Sequence, residues 1–339
     1  MQRQSNIELL RIVSMLMVLA VHVDGASLGL PEPLGDMASL TARDVWRIVV
    51  ETLAIIGVNC FTMISGYFGI RLRLRGVLSF LFQCAFYSVG IYTAVSIVFP
   101  GQFSWQGWFE SWMVLTHTDL WYVPAYFGLM LLSPVLNAGL DALPKRTFAV
   151  VLALFVAFNL WCGWWWHGTF NPTRYTIVQL VMVYMIARYI RLHVSMKGLR
   201  RHRGAIAWTY LASLVAMAAM AMYMPPLQAF AYNSPVVLLS TVCFFLLFLS
   251  FDFTSRPVNY IARSAFAVYL IHKAPLVWGN IMRPAVIYLW TTLSLPLFTL
   301  AAAGVITGFY LVAVAIDPLR RWMFDTLWRT SQRLVAFLR

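Results

Sequence analysis

Apolar residues fall along this chain in long blocks separated by short polar connections. Blocks near 9–29, 47–69, 77–99, 121–140, 147–166, 174–192, 205–224, 234–252, 261–281 and 296–316 each hold roughly twenty residues. At about 1.5 Å of rise per residue, each is long enough to cross a hydrocarbon core about 30 Å thick. The pattern predicts an all-α integral membrane protein, a bundle of about ten transmembrane helices. The opening MQRQSNIELLRIVSMLMVLAVH starts basic and turns apolar, as a signal peptide does. Arg11 interrupts the apolar part and no small-x-small site follows, so it reads as an uncleaved first helix. In FSWQGWFESW, residues 103–112, Trp recurs at 105, 108 and 112, which suits a helix lying at the membrane surface. Trp161, Trp164, Trp165 and Trp166 close the fifth block as an aromatic belt.

Composition excludes a water-soluble domain: 61% of the residues are hydrophobic and 11% charged, with mean hydropathy +0.75, against about 25% charged in soluble domains. The net charge of +13 would suit nucleic acid, but the basic residues sit in short clusters between apolar blocks, so no nucleic-acid partner is expected. Taken in alternate connections, 20 of the 25 Lys and Arg lie on one side and the other five, Arg43, Arg47, Arg174, Lys273 and Arg283, on the opposite side. By the positive-inside rule both termini are cytoplasmic. A transmembrane domain over 1–316 and a short basic cytoplasmic tail over 317–339 follow. Asp24, Glu32, Asp36, Asp44, Glu51, Glu110 and Asp119 gather at the outer ends of the first four helices. The four cysteines show no CxxC or metal spacing and read as buried apolar residues; no metal is expected.

An ionisable side chain inside an apolar block costs about 2.5–3.5 kcal/mol at mid-membrane and marks a candidate site. Arg11 and His22 are eleven positions apart in the first block, about 16 Å along a helix and within about 20° of one face. Either Arg11 pairs with Glu8 and snorkels while His22 is merely hydrogen-bonded, or the two form a functional stripe. His272, in the ninth block, lies at a similar depth, either as a satisfied structural group or as a catalyst. Arg71, Arg73 and Arg75 follow the second block and serve topology or bind a polyphosphate. Asn59 and Ser65 are helix-packing polar groups; His117 and Asp119 belong to the outer mouth. Walker, GxSxG and HExxH patterns are absent.

NIELLRIVSMLMVLAVH, with its Arg and His, resembles the first helix of the acyltransferase 3 family, membrane O-acyltransferases of bacterial surface glycans. CFTMISGYF is similar to the family's Ser-Gly-aromatic element, LWYVPAYFGLMLLSPVLN to its aromatic run ending in a Pro-containing helix, and IARSAFAVYLIHKAPLV to its late histidine-bearing helix. The resemblance covers residues 6 to about 316. It implies a multi-pass enzyme of the bacterial inner membrane that moves an acyl group, usually acetyl, from cytoplasmic acyl-CoA to a hydroxyl of a cell-surface or lipid-linked glycan. Acetyl-CoA is then a co-substrate. The resemblance also points to the short members without an appended hydrolase-like domain. It assigns the catalytic positions to His22 and its paired Arg11, with His272 as a further catalytic candidate. His22 then acts as a general base or forms a transient acyl-histidine. Arg11, Arg71, Arg73 and Arg75 are the expected contacts for coenzyme A. A transporter or flippase for acyl groups or lipid-linked sugars, and a structural subunit of a glycan-assembly complex, are the competing readings.

Overall fold

The computed structural model describes residues 4–30, 40–116, 120–166, 170–171 and 175–337. Arg3, Glu32, Asp36, His117, Asp119, Arg174 and Arg339, which entered the readings of topology and outer mouth, lie outside the described residues. Every regular element among the described residues is helical. Seven stretches are long and apolar enough to cross a membrane: Ser5–Leu28, Ala42–Phe68, Leu74–Val98, Tyr122–Ala142, Lys145–Trp165, Arg203–Tyr223 and Leu295–Leu334. Pro235–Ser250 is a shorter apolar helix. The block at 174–192 becomes a 17-residue helix, Ile177–His193. The block at 261–281 is a chain of short pieces whose central helix is Ala265–His272, because Pro275, with no N–H to donate, follows soon after. Leu154, Trp208, Val215, Leu300 and Leu311 stand exposed on the bundle surface, an arrangement suited to lipid.

The first part of the chain folds into α1 (Ser5–Val23), α2 (Ala42–Ala54), α3 (Gly57–Phe68) and α4 (Leu74–Val98). Thr41 and Asp44 form a reciprocal capping box that starts α2. Helices α2 and α3 meet at Gly57, where a Cβ would lie 2.7 Å from the Ser14 carbonyl of α1, so glycine is what lets these backbones touch. Gly66 does the same against Tyr184 of α6 (Ile177–His193), given α5 as Tyr122–Ala142. Asn59, buried in α3, donates to the Tyr232 carbonyl at 2.9 Å, and Ser65 lies 3.2 Å from the Tyr126 hydroxyl of α5. Ser65 thus links α3 to α5, while Asn59 links α3 to the loop that precedes Pro235.

The start of α1 is clamped to the late part of the chain. Ser5 Oγ donates to Asn259 Oδ1 and accepts from the Ser255 N–H; Asn6 Nδ2 donates to the Phe248 and Phe251 carbonyls. These bonds fix the register of α1 beside α7 (Ala265–His272). The last helix, α8 (Leu295–Phe337), runs without a break through position 317. Its 43 residues correspond to a rod about 64 Å long.

Candidate functional site

Helix register brings two histidines from the ends of α1 and α7 into contact. His22 Nδ1 lies 2.7 Å from His272 Nε2, and His272 Nδ1 lies 2.7 Å from the Val268 carbonyl one turn earlier in its own helix. A carbonyl only accepts, so Nδ1 of His272 carries the proton. In the neutral ring, Nε2 of His272 is then an acceptor, and His22 must donate from Nδ1. The chain of bonds leaves Nε2 of His22 with a free lone pair. His272 is fully buried and braced by Tyr269 and by Phe309 of α8. The Trp278 edge meets His22 at 5.8 Å, and Lys273 Nζ sits 4.1 Å above the Trp278 ring.

Just beyond His22, α1 ends in a buried polar anchor. Asp24 accepts from Arg47 Nε at 2.8 Å, Glu51 Oε1 accepts from the Gly25 N–H at 2.9 Å, and Ser27 Oγ donates to the His22 carbonyl at 2.7 Å. Asp24 and Glu51 are both buried. This acidic cluster is thus partly internal and holds the histidine-bearing turn in position.

His22 lines a narrow cavity with Met15, Val18 and the aromatic rings of Phe61, Trp121, Tyr122, Tyr232, Phe266 and Tyr269. Its volume of about 30 Å³ holds a couple of water molecules. Tyr122 stacks on Tyr126, which reaches Ser65, so an aromatic wall continues along α5. Arg11 does not line the cavity. It pairs with Glu8 at 3.1 Å. Arg11 thus has the local carboxylate of the first reading, while His22 is bonded to His272. At the mouth, burial, then the neighbouring Tyr175, Glu51 and Tyr269, push the Tyr232 hydroxyl pKa up, which keeps it a neutral donor.

At the opposite end of the bundle the three arginines after α3 gain unexpected company. Gly69, at φ +72°, turns the chain. The Tyr184 hydroxyl, accepting from the Ile70 N–H and donating to Asn137, then clasps it. Arg71, Arg73 and Arg75 emerge from this clasp into an open cavity of about 430 Å³ shared with Arg320, Arg321, Phe324 and Asp325. Arg320 and Arg321 are held by Asp317, which is fully buried and also accepts from Tyr87 and Ser264. Arg75 pairs with Asp325 at 2.8 Å. Five guanidiniums against two carboxylates leave this cavity with an excess of positive charge.

The sequence singled out Arg11, His22, His272, Arg71, Arg73 and Arg75. The structure joins His22 to His272 and groups the three later arginines, while Arg11 lines neither cavity and pairs with Glu8. Sequence reasoning placed Trp121 and Tyr122 in the family-like aromatic run without giving them a role, and it missed Tyr232, whose pattern is that of an ordinary core aromatic. It also missed Arg320 and Arg321, counted only as topology charges; the i, i+3 and i, i+4 spacing from Asp317, inside an apolar helix, was the available signal. Among the four tryptophans read as a belt, Trp161, Trp165 and Trp166 are exposed, but Trp164 is buried and donates to the Gln228 carbonyl.

The family model described as an acyltransferase domain matches residues 4–317. No curated protein and no solved structure matches the chain.

Proposed function

The chain belongs to the acyltransferase domain family, and from that premise we propose that it is an O-acyltransferase carrying an acetyl group from cytoplasmic acetyl-CoA to a hydroxyl of a cell-surface or lipid-linked glycan. The observation that carries the reading is the His22–His272 pair at 2.7 Å. A sugar hydroxyl is a weak nucleophile and needs a base in reach. His22 Nε2 takes the hydroxyl proton as the oxygen attacks the thioester carbonyl carbon. The carbon–sulfur bond breaks, and the same nitrogen returns the proton to the departing sulfur. Throughout, the Nδ1–H of His22 stays on His272, which holds the ring's tautomer and supports its transient positive charge. His22 is thus the catalytic base and His272 its positioning residue.

The donor supplies an activated acyl carbonyl and a string of phosphates. The pocket of Arg71, Arg73, Arg75, Arg320 and Arg321 fits those phosphates in charge. Arg11 and the aromatic wall of Tyr126 and Tyr122 fit the arm that must reach from there toward His22. The proposal takes the arginine pocket as the cytoplasmic face and the histidine cavity as the outer half of a bacterial inner membrane. The seven long apolar helices, with Ile177–His193, Pro235–Ser250 and the broken segment around Ala265–His272, make up the ten crossings this requires. Both termini are then cytoplasmic, with residues 1–316 as the membrane domain and 317–339 as the basic tail.

Purified protein incubated with labelled acetyl-CoA and extracted surface glycan tests the reading. Transfer of label that depends on His22 is the expected result. Label remaining wholly on coenzyme A, in wild type and His22→Ala alike, would remove it.

A further inference from the structure

Three rings cluster at the mouth of the histidine cavity in an arrangement that membrane anchoring does not explain. Trp121 and Tyr232 line the cavity alongside His22. Tyr175 packs on both at steep angles, its ring inclined 51° to Trp121 at 5.0 Å between centroids and 80° to Tyr232 at 5.4 Å, and it remains 48% exposed. Trp121 and Tyr232 complete the triangle at 5.9 Å. An interfacial belt residue points outward into headgroups. Here the exposed ring continues two inward-facing ones, and one of those, Tyr232, is buried.

The platform is also held rigidly. The Tyr232 carbonyl accepts from both Asn59 and Gln179 at 2.9 Å. Asn59 is itself bonded to Gln179. Asn233, the next residue, is tied to Asn159, and Asn159 to Asn171. A network of buried amides spent on one short loop fixes the Tyr232 ring in place.

We propose that Tyr175, braced by Trp121 and Tyr232, offers its exposed ring as a stacking platform for the pyranose ring of the acceptor saccharide. The inference rests on the acyltransferase reading for the identity of the ligand as acceptor. The C–H face of a pyranose carries partial positive charge and fits the negative face of an aromatic ring. Stacking there brings the ring's hydroxyl-bearing edge to the opening of the cavity that His22 lines. An open-chain polyol has the same hydroxyls without such a face, so the platform selects rings over chains.

The test is saturation-transfer NMR on the purified full-length protein. The probes are methyl β-D-glucopyranoside, methyl β-D-galactopyranoside and methyl N-acetyl-β-D-glucosaminide, with sorbitol as the open-chain comparison. Saturation is expected on the ring C–H protons of at least one glycoside and not on sorbitol. Tyr175→Ala is expected to reduce it at least fivefold and Tyr175→Phe to keep it. The exposed position leaves folding intact, which retention of saturation by the Phe variant also reports. No transfer to any of the three glycosides, equal transfer to sorbitol, or an unchanged signal in Tyr175→Ala each overturns the platform. Glycoside saturation that depends on Tyr175, in a protein that never turns over acetyl-CoA, would sink the acyltransferase reading and leave the platform standing.

Discussion

His22 and His272 share a hydrogen bond although 250 residues separate them in the chain. Helix register brings the two together: Ser5 and Asn6 lock the first turn of α1 to residues 248–259, and α1 and α7 then deliver an imidazole each to one depth. Because His272 is anchored to Val268, the pair has a direction. The free lone pair falls on His22 and not on its partner.

Replacing His22 by Ala is expected to lower acetyl transfer by at least about 100-fold, the usual contribution of a positioned base. Membrane insertion and thermal unfolding in detergent should stay close to wild type, since the ring sits at a cavity wall. Activity retained within tenfold would contradict the assignment.

His272 acts through its neighbour, so its variants should separate orientation from chemistry. In His272→Phe, kcat is expected to fall about 10- to 100-fold, as one oriented hydrogen bond of a charged ring is lost. KM for acetyl-CoA should be unchanged. His272→Gln, whose amide carbonyl can accept from His22 Nδ1, should recover part of the loss. Equal kcat values for the Phe and Gln variants would argue against a positioning role.

The arginine pocket makes a prediction about the donor. Arg71→Ala combined with Arg73→Ala is expected to raise KM for acetyl-CoA about tenfold through lost charge-assisted hydrogen bonds. The wild type should also lose donor affinity as salt rises from 0.05 to 0.5 M, concentrations across which the Debye length contracts severalfold (~14 to ~4 Å). Steady-state kinetics at several salt concentrations measures both effects.

Asp317 offers a stability test. Its carboxylate is buried with Arg320, so Asp317→Ala leaves a guanidinium without its charge partner. A loss of about 3–5 kcal/mol is expected, read as a lower midpoint of thermal unfolding in detergent, with a smaller loss for Asp317→Asn.

Gly66 tests the closest helix contact. A Cβ there would come within 2.5 Å of the Tyr184 carbonyl and 2.8 Å of its Cα, backbone atoms that cannot swing aside. Gly66→Ala should cost about 1–3 kcal/mol, whereas Gly90→Ala, with open space around it, should be neutral. Paired unfolding curves decide the matter.

Much of the molecule was legible in the sequence because lipid imposes a simple code: apolar length gives helices, and the cost of buried charge singles out Arg11, His22 and His272. Helix breaks were less legible. The interruption after α2 comes from the approach of the α1 backbone at Gly57, a tertiary contact with no local signature. The segment around His272 reads as one apolar run, yet Pro275 and its neighbours divide it. The aromatic cavity was hidden for a related reason. Trp121, Tyr122 and Tyr232 look like core rings, and only the fold reveals that their shared space touches His22. The partners of Arg71, Arg73 and Arg75 come from a helix more than 200 residues later, which charge counting assigns to a side of the membrane but to no pocket.

Phe309, packed on His272, and Arg320, in the basic pocket, ride on the same unbroken α8. Eleven residues separate them, about 16 Å of rise on nearly the same face, so the last helix acts as a ruler between the histidine pair and the basic pocket. Under the proposed function, a donor long enough to touch both marks fits, and a shorter thioester falls between them. Pro318 removes one rung of backbone bonding within that interval, and it is there that the ruler can flex to accommodate length.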